Sequence, residues 1–368
     1  MIKVISVVGA RPNFMKVAPI HRAFQKVSDK VEHFLVHTGQ HYDYAMSTAF
    51  FQDLEMPEPK YFLNIGSGSH AQQTAKIMIE FEKVLIEEKP DFIIVVGDVN
   101  STIACSLTAI KLGIKTAHVE AGLRSYDRKM PEEINRMATD AISDYLFITE
   151  ESAEENLNKE GVDPKRVFFV GNTMIDSLVF ATPKTEKSDI LNKLNVTENN
   201  YVLATIHRPS NVDEPKQLNS LIDLFDFIAQ KRQIIFPVHP RTKKMIESDD
   251  ILNNRVKSIT NLILTDPLGY IDFLKLMINC DFVITDSGGI QEETTFLQKP
   301  CVTMRTSTER PSTIKLGTNI LVNPDYDSIK NVVEKILNND KKTGIIPPLW
   351  DGNTADRIVE IITNKIFK

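Results

Sequence analysis

The sequence predicts an α/β protein with two doubly wound, parallel-sheet (Rossmann-like) domains, and three observations lead to this fold class. The chain has 368 residues, and domains typically run to roughly 100–200 residues, so two domains are expected. Short β-branched apolar runs alternate with helical patterns along the chain. Hydrophobic residues make up 42% and charged residues 25%, which excludes a disordered or collagen-like chain.

The predicted strands are mostly apolar without alternation, which is typical of parallel strands buried on both faces. In the first half they span residues 2–8, 33–37, 91–97, 115–119, 145–149 and 167–170. In the second half they span residues 201–206, 234–238, 262–265, 282–285, 301–304 and 319–322. Helical patterns between them, such as residues 100–112, 215–230 and 328–338, indicate repeated strand–helix–strand units.

A polar stretch with a proline begins at Ala181 and predicts the linker between the domains. We therefore expect an N-terminal domain at residues 1–180 and a C-terminal domain at 181–350. Beyond two consecutive prolines, isoleucines at 358, 361, 362 and 366 predict a helix with one buried face. This last segment, residues 351–368, is expected to pack back on the N-terminal domain.

Composition also limits the partners. Forty-three basic and 49 acidic residues give a net charge of −6, which argues against nonspecific binding to nucleic acid or membranes. The three cysteines show neither zinc spacing nor a disulfide framework, so buried thiols are expected. The N-terminus shows no signal-peptide pattern and no apolar run reaches the ~18 residues of a membrane span. A cytoplasmic protein without a bound metal is the prediction.

Polar residues follow several predicted strands in the first half. Ligands bind at the carboxyl ends of parallel strands, so a cleft between two facing sheets would be the expected site. Arg11 and Lys16 lie at the start of a helix, where anions are favoured, although surface cations explain them equally well. Asp98 follows the most apolar strand, and capping of the next helix accounts for only one of the polar residues there.

Two further carboxylate positions come next in the chain. Glu120 ends a strand, and we expect that it can pair with Arg124. Glu132 lies in the first turn of a helix, where the helix dipole alone is a sufficient reason for an acid. The same helix is expected to bury an apolar stripe formed by Ile134, Met137, Ala138, Ala141 and Ile142. Neighbouring carboxylates with different pKa values suit acid–base chemistry.

The second half looks like a nucleotide domain. A His-Arg pair, His207 and Arg208, follows one predicted strand, and His239 follows the next. Ser287, Gly288 and Gly289 then join a strand to a helix, so that backbone N–H groups are available for a diphosphate without a Walker lysine.

Taken together, these segments resemble the non-hydrolysing UDP-N-acetylglucosamine 2-epimerases over essentially the whole chain. The matching segments are residues 9–16, 37–43, 97–102, 118–125, 131–136, 171–176, 286–293 and 308–311. The resemblance implies a glycosyltransferase-B-like fold, a homodimer, and neither nicotinamide nor metal as cofactor. It implies reversible epimerisation at C2 of UDP-N-acetylglucosamine to UDP-N-acetylmannosamine by loss and re-addition of UDP, for polysaccharide precursors.

Residue patterns and resemblance together give a set of candidate site residues. The expected catalytic residues are Asp98, Glu120, Glu132 and His207. The expected substrate-binding residues are Arg11, Lys16, Arg136, Arg208, His239, Phe273, Ser287, Gly288, Gly289, Glu293 and Arg310. Which carboxylate acts as the base is left open.

Several alternatives remain at this point. Relatives that act on UDP-2,3-diacetamido-2,3-dideoxy-glucuronic acid share the Gly-Ala-Arg-Pro opening at residues 9–12. A hydrolysing epimerase, a glycosyltransferase of the same fold and a catalytically silent nucleotide-sugar binder are the other possibilities. Regulated bacterial members bind a second, activating UDP-sugar through an Arg-Gln-Thr-Leu segment, and residues 68–74 lack that arginine.

Overall fold

The computed structural model describes residues 1–39 and 53–368, except for the side chain of Arg11. The part of the resemblance that falls on residues 40–43 therefore lies outside the described residues. The chain divides into two compact units, Met1–Phe180 together with Pro348–Lys368, and Ala181–Pro347. We call these the first and the second unit.

Parallel strands form the centre of the first unit. Its strands are β1 (Ile2–Val8), β2 (Val31–His37), β3 (Tyr61–Phe62), β4 (Phe92–Val96), β5 (Lys115–Ala121), β6 (Tyr145–Ile148) and β7 (Val167–Phe169). Its helices begin with α1 (Arg11–Gln25), α2 (His70–Glu88), α3 (Asn100–Lys111), α4 (Pro131–Ile142), α5 (Glu151–Lys159) and α6 (Thr173–Ala181). The strand order of the described sheet is β3-β2-β1-β4-β5-β6-β7. All predicted strands of this half are confirmed, while the two-residue strand β3 was not predicted.

The second unit repeats the same design. Its helices are α7 (Ile190–Lys193), α8 (Pro209–Val212), α9 (Pro215–Ala229), α10 (Pro240–Glu247), α11 (Asp250–Ser258), α12 (Tyr270–Asn279), α13 (Gly288–Phe296), α14 (Pro311–Lys315) and α15 (Tyr326–Leu337). Its strands are β8 (Tyr201–Thr205), β9 (Gln233–Pro237), β10 (Leu262–Thr265), β11 (Phe282–Thr285), β12 (Cys301–Met304) and β13 (Asn319–Val322). The order β10-β9-β8-β11-β12-β13 is parallel throughout. The predicted α/β fold with two parallel sheets is confirmed.

The C-terminal segment belongs to the first unit, and buried polar contacts fix it there. Helix α16 (Thr354–Ile361) receives an N-terminal cap from Asp176, whose carboxylate accepts the backbone N–H groups of Thr354 at 3.2 Å and Ala355 at 2.7 Å. The indole N–H of the buried Trp350 donates to the carbonyl of Thr149 at 2.9 Å. These contacts complete the first unit.

Strand order determines where ligand sites are expected in each unit. Connections leave in opposite directions from β1 and β4 in the first sheet, and from β8 and β11 in the second. A crevice forms beyond the carboxyl ends of strands at such a switch point. About half of the candidate residues lie in the loops that follow these four strands or in the helices that those loops enter.

One prediction about α4 is wrong. The apolar stripe is not its buried face, because Ile134 is 41% exposed whereas Glu133, Arg136 and Asp140 are almost fully buried. Helical spacing identifies a face that differs from the rest, but it does not say which face turns inward. Here the charged face turns inward because it meets other charged side chains.

Candidate active-site residues in the two units

The first unit places a lysine of α1, the helix after β1, against a carboxylate near the C-terminal end of β5. Lys16 and Glu120 form an ion pair, and both residues are about 5% exposed. Glu120 has a left-handed backbone with φ of 73°, at a point where the register between β5 and β6 shifts. Such a conformation costs a non-glycine residue on the order of 1 kcal/mol and is common at functional sites.

Glycine is required at the neighbouring Gly97. This residue has φ of +66°, and a Cβ atom there would lie 2.9 Å from Nζ of Lys16 and 3.7 Å from a carboxylate oxygen of Glu120. The end of β4 therefore approaches the ion pair closely. Asp98 follows Gly97 directly, so the two candidate carboxylates belong to the C-terminal ends of adjacent strands, β4 and β5.

Asp98 is fixed by a chain of ionic contacts that reaches into α4. Arg136 donates to its carboxylate at 2.5 Å and to the carboxylate of Glu133 at 2.6 Å. Glu133 also accepts the backbone N–H groups of Ser125 and Tyr126, both at 2.9 Å. Burial opposes ionisation of Glu133, but these donors keep its pKa below the usual value. Arg136 therefore orients Asp98, and its contact with substrate stays a prediction.

The structure changes one expectation about the acids and leaves another open. Arg124 does not pair with Glu120 as expected; instead it contacts Asp140 at 2.7 Å and Glu160 at 2.7 Å. Glu132 is exposed on the first turn of α4, and no hydrogen bond within the described residues joins it to Asp98. Its catalytic role stays a prediction.

In the second unit, a buried aspartate holds His207 beyond the end of β8. Asp286 is 0% exposed and its carboxylate lies 3.1 Å from Nδ1 of His207. It also accepts the backbone N–H of Arg208 at 2.8 Å and the side-chain amide of Asn211 at 3.0 Å. Although burial acts in the opposite direction, these contacts lower the pKa of Asp286. The ring of His207, 42% exposed, thus has a fixed orientation with Nε2 on its open side.

His239 lies close to His207 but has a local role. Its ring centroid is 5.4 Å from that of His207. Its Nδ1 accepts the backbone N–H of Arg241 at 3.2 Å and so caps α10. This leaves Nε2 as the protonated nitrogen, a donor suited to an anion.

Helix α13 starts with backbone donors that lack intrahelical acceptors. Its N-cap, Ser287, makes no side-chain capping bond. A Cβ at Gly288 would lie 2.7 Å from Nη1 of Arg310, so only glycine permits this close approach. Arg310 itself is paired with two buried acids, Glu292 at 3.0 Å and Glu309. The favourable field for an anion here therefore comes from the helix N-terminus and not from an unpaired arginine.

Glu293 has a partner that the sequence did not indicate. The buried hydroxyl of Tyr270 donates to one of its carboxylate oxygens at 2.8 Å. Burial, and then the carboxylate, raise the pKa of Tyr270 well above its usual value, so this hydroxyl stays a donor. Phe273 lies on the same helix, α12, one turn further along. Within the described residues, no group of three His, Cys, Asp or Glu residues could hold a metal ion.

Comparison with known proteins now decides the family. The family model described as UDP-N-acetylglucosamine 2-epimerase matches residues 23–363. The Methanocaldococcus jannaschii UDP-N-acetylglucosamine 2-epimerase is 43% identical over 98% of this chain and 99% of its own length. The chain belongs to the UDP-N-acetylglucosamine 2-epimerase family. It is therefore an enzyme of the isomerase class with the glycosyltransferase-B-like fold of that family.

Solved structures of 2-epimerases agree with the fold. The M. jannaschii enzyme in complex with UDP-GlcNAc and UDP gives a TM-score of 0.89, at 43% identity and 98% coverage of this chain and 99% of that chain. The Neisseria meningitidis enzyme bound to UDP-GlcNAc also gives 0.89, at 28% identity, and covers 99% of this chain and 100% of its own. A Pseudomonas aeruginosa UDP-2,3-diacetamido-2,3-dideoxy-D-glucuronate 2-epimerase is 39% identical over 89% of this chain and 90% of its own length. Helices of the described residues are too short or too polar to cross a membrane.

Proposed function

We propose that this enzyme interconverts UDP-N-acetylglucosamine and UDP-N-acetylmannosamine. The observation that supports this most is in the first unit, where Glu120 near the end of β5 and Asp98 just after β4 each have a cationic partner. Inversion at a sugar carbon by proton exchange requires an acid–base group on each face of the ring. We propose that Asp98 and Glu120 are these two groups.

The reaction proceeds by elimination and re-addition. One carboxylate removes the proton from C2, the C1–O bond breaks, and UDP leaves with that electron pair while a C1=C2 double bond forms. The second group, which enters this step as a protonated carboxylic acid, then gives its proton to the opposite face of C2 while UDP adds back to C1. Proton exchange with water resets both groups, and no redox step occurs, so no nicotinamide is needed.

The second unit would stabilise the departing diphosphate. The N-terminal N–H groups of α13 are donors suited to the negative charge that develops on UDP. His207, held by Asp286, would contact the diphosphate through its other ring nitrogen. Arg208 follows β8 and His239 follows β9, the neighbouring strand, and both would add contacts to the diphosphate. The carboxylate of Glu293, oriented by Tyr270, is suited to the ribose hydroxyls. Phe273 would contact the uracil.

Proton NMR of UDP-N-acetylglucosamine with the enzyme in deuterated water tests the proposal. We expect deuterium at C2 and the appearance of UDP-N-acetylmannosamine. Free UDP together with free sugar would show a hydrolysing enzyme instead. An unchanged spectrum, with and without a second UDP-sugar as activator, would refute the proposed substrate.

A second substrate has one specific observation in its favour. The P. aeruginosa relative is named for a diacetamido-glucuronate, and its identity of 39% is close to that of the N-acetylglucosamine relatives. The same NMR experiment with UDP-2,3-diacetamido-2,3-dideoxy-glucuronic acid compares the two. The substrate with the larger kcat/KM identifies the specificity.

We also propose that the enzyme is a cytoplasmic homodimer that supplies polysaccharide precursors. The exposed Ile134 borders a groove of about 520 Å³ lined by residues of α2 and α4, such as Met78 and Ala75. A second copy that covers this face would remove apolar surface from water. Light scattering after gel filtration should give twice the chain mass, and Ile134→Glu should give the monomer.

A further inference from the structure

Side chains from three different elements hold consecutive backbone carbonyls at the end of β4. The carbonyls of residues 96–98 accept, in order, from the amide of Asn13 at 3.1 Å, the ring of His118 at 2.7 Å and the amide of Asn135 at 2.9 Å. The donor to the Gly97 carbonyl is the imidazole ring of His118, which is 0% exposed.

Both nitrogens of that ring face an acceptor. Nε2 of His118 lies 2.7 Å from the carbonyl oxygen of Gly97, and Nδ1 lies 2.6 Å from a carboxylate oxygen of Asp140. A carbonyl cannot donate, so Nε2 must bear a proton. A neutral ring would then turn the lone pair of Nδ1 toward the carboxylate at 2.6 Å, which is repulsive unless a proton lies between the two atoms.

The surroundings of Asp140 favour its ionised form. Its second oxygen accepts from Arg124 at 2.7 Å and from the backbone N–H of Gly122 at 3.0 Å. Burial acts against the charge, but His118 and Arg124 lower the pKa of Asp140 below its usual value. Because Arg124 and the backbone N–H of Gly122 both donate to the second oxygen of Asp140, the carboxylate is stabilised independently of His118, and the proton between the two residues is better placed on the ring.

We infer that His118 is a buried imidazolium, held by Asp140, and that it positions the Gly97–Asp98 peptide for catalysis. A charged donor makes a stronger bond to the Gly97 carbonyl than a neutral ring would. Together with Arg136 at the other end of Asp98, it fixes both the backbone and the carboxylate of that residue. His118 is thus a positioning residue and does not touch the substrate. Its kinetic consequence rests on the proposed function, whereas its protonation does not.

Nitrogen-15 NMR of histidine-labelled wild-type enzyme tests the protonation directly. We expect both ring nitrogens of His118, assigned through backbone correlations, to show protonated chemical shifts in the folded enzyme at neutral pH. An unprotonated shift for either nitrogen at neutral pH would overturn the inference. This experiment does not depend on activity, so an inactive wild-type enzyme would refute the proposed function and leave this result interpretable.

Kinetics of His118→Gln test the positioning role. Glutamine can donate to only one of the two acceptors at a time, so we expect kcat to fall roughly 10- to 100-fold while KM and UDP affinity change little. His33→Gln is the matched control, because His33 is also buried in the first unit but contacts Ser6 at 2.8 Å, on β1. It should lower the melting temperature without lowering kcat. Equal kcat in the two folded variants would show that His118 is merely structural.

Discussion

Each unit of the molecule contains an aspartate that contacts Nδ1 of a histidine. The two pairs differ in whether the second ring nitrogen also has a partner within the protein. In the first unit, both nitrogens of His118 are used within the protein, and the residue is 0% exposed. In the second unit, Asp286 holds only Nδ1 of His207, whose side chain is 42% exposed. The same pair therefore stabilises a loop in one unit and presents an unoccupied side of the ring in the other. The His–Asp pair alone does not determine the role of the histidine. That role depends on how exposed the ring is and on how many of its nitrogens already face acceptors within the protein.

The largest expected effect tests whether the units divide their tasks. Asp98→Asn removes an acid–base group from the first unit but no group from the second, so kcat should fall about 1,000-fold. Affinity for UDP, measured by calorimetry, should remain unchanged. A parallel loss of UDP affinity would show that the two units do not act separately.

A smaller effect is expected from substitutions of His207 and of Asp286, which orients it. His207→Gln removes the imidazole and should lower kcat about 100-fold, whereas Asp286→Asn disturbs only the orientation of the ring and should lower kcat about tenfold. Steady-state kinetics for both variants, with circular dichroism as the folding control, measure the difference. If Asp286→Asn were the more damaging variant, the aspartate would do more than orient His207.

His37 extends the comparison to a buried ring whose Nδ1 faces a backbone N–H and not a carboxylate. Nδ1 of His37 accepts the backbone N–H of Gly39 at 2.8 Å, and burial lowers the pKa of the ring to about 4. The unfolded chain then binds more protons below about pH 6.5, so the free energy of unfolding should fall as the pH falls. Between pH 7 and pH 5 the loss should be about 2 kcal/mol. Urea unfolding at both pH values measures it, and His37→Asn, which retains an acceptor for Gly39, should show a smaller loss.

The smallest expected effect concerns the backbone donors of the second unit. A Cβ at Gly288 would lie 2.7 Å from Arg310, so Gly288→Ala should move the start of α13 and weaken UDP binding about tenfold. Gly68→Ala is the control, because the nearest atom to its Cβ would be 3.5 Å away, at an ordinary contact distance. Unchanged UDP affinity in Gly288→Ala would mean that side chains and not the helix N-terminus bind the diphosphate.

Much of the fold could be predicted from the sequence, because strands buried on both faces appear as short apolar runs. The strand β3 escaped prediction since it has two residues, one of them exposed Phe62. The loops with candidate residues were predicted from their place after strands. The partners that orient them were not: Asp140 lies 22 residues from His118, and Asp286 lies 79 residues from His207. Pairings over such separations depend on the sheet order, which local patterns do not contain.

The route of the chain has a consequence for its biosynthesis. Residues 181–347 form a unit of their own and are made before the segment with Trp350 and α16, which completes the first unit. Until that segment is made, the Thr149 carbonyl and the Asp176 carboxylate of the first unit lack their final partners. The first unit is thus begun before the second unit and completed after it. Pulse-labelled chains stopped after residue 347 should resist protease in the second unit and be cleaved in the first.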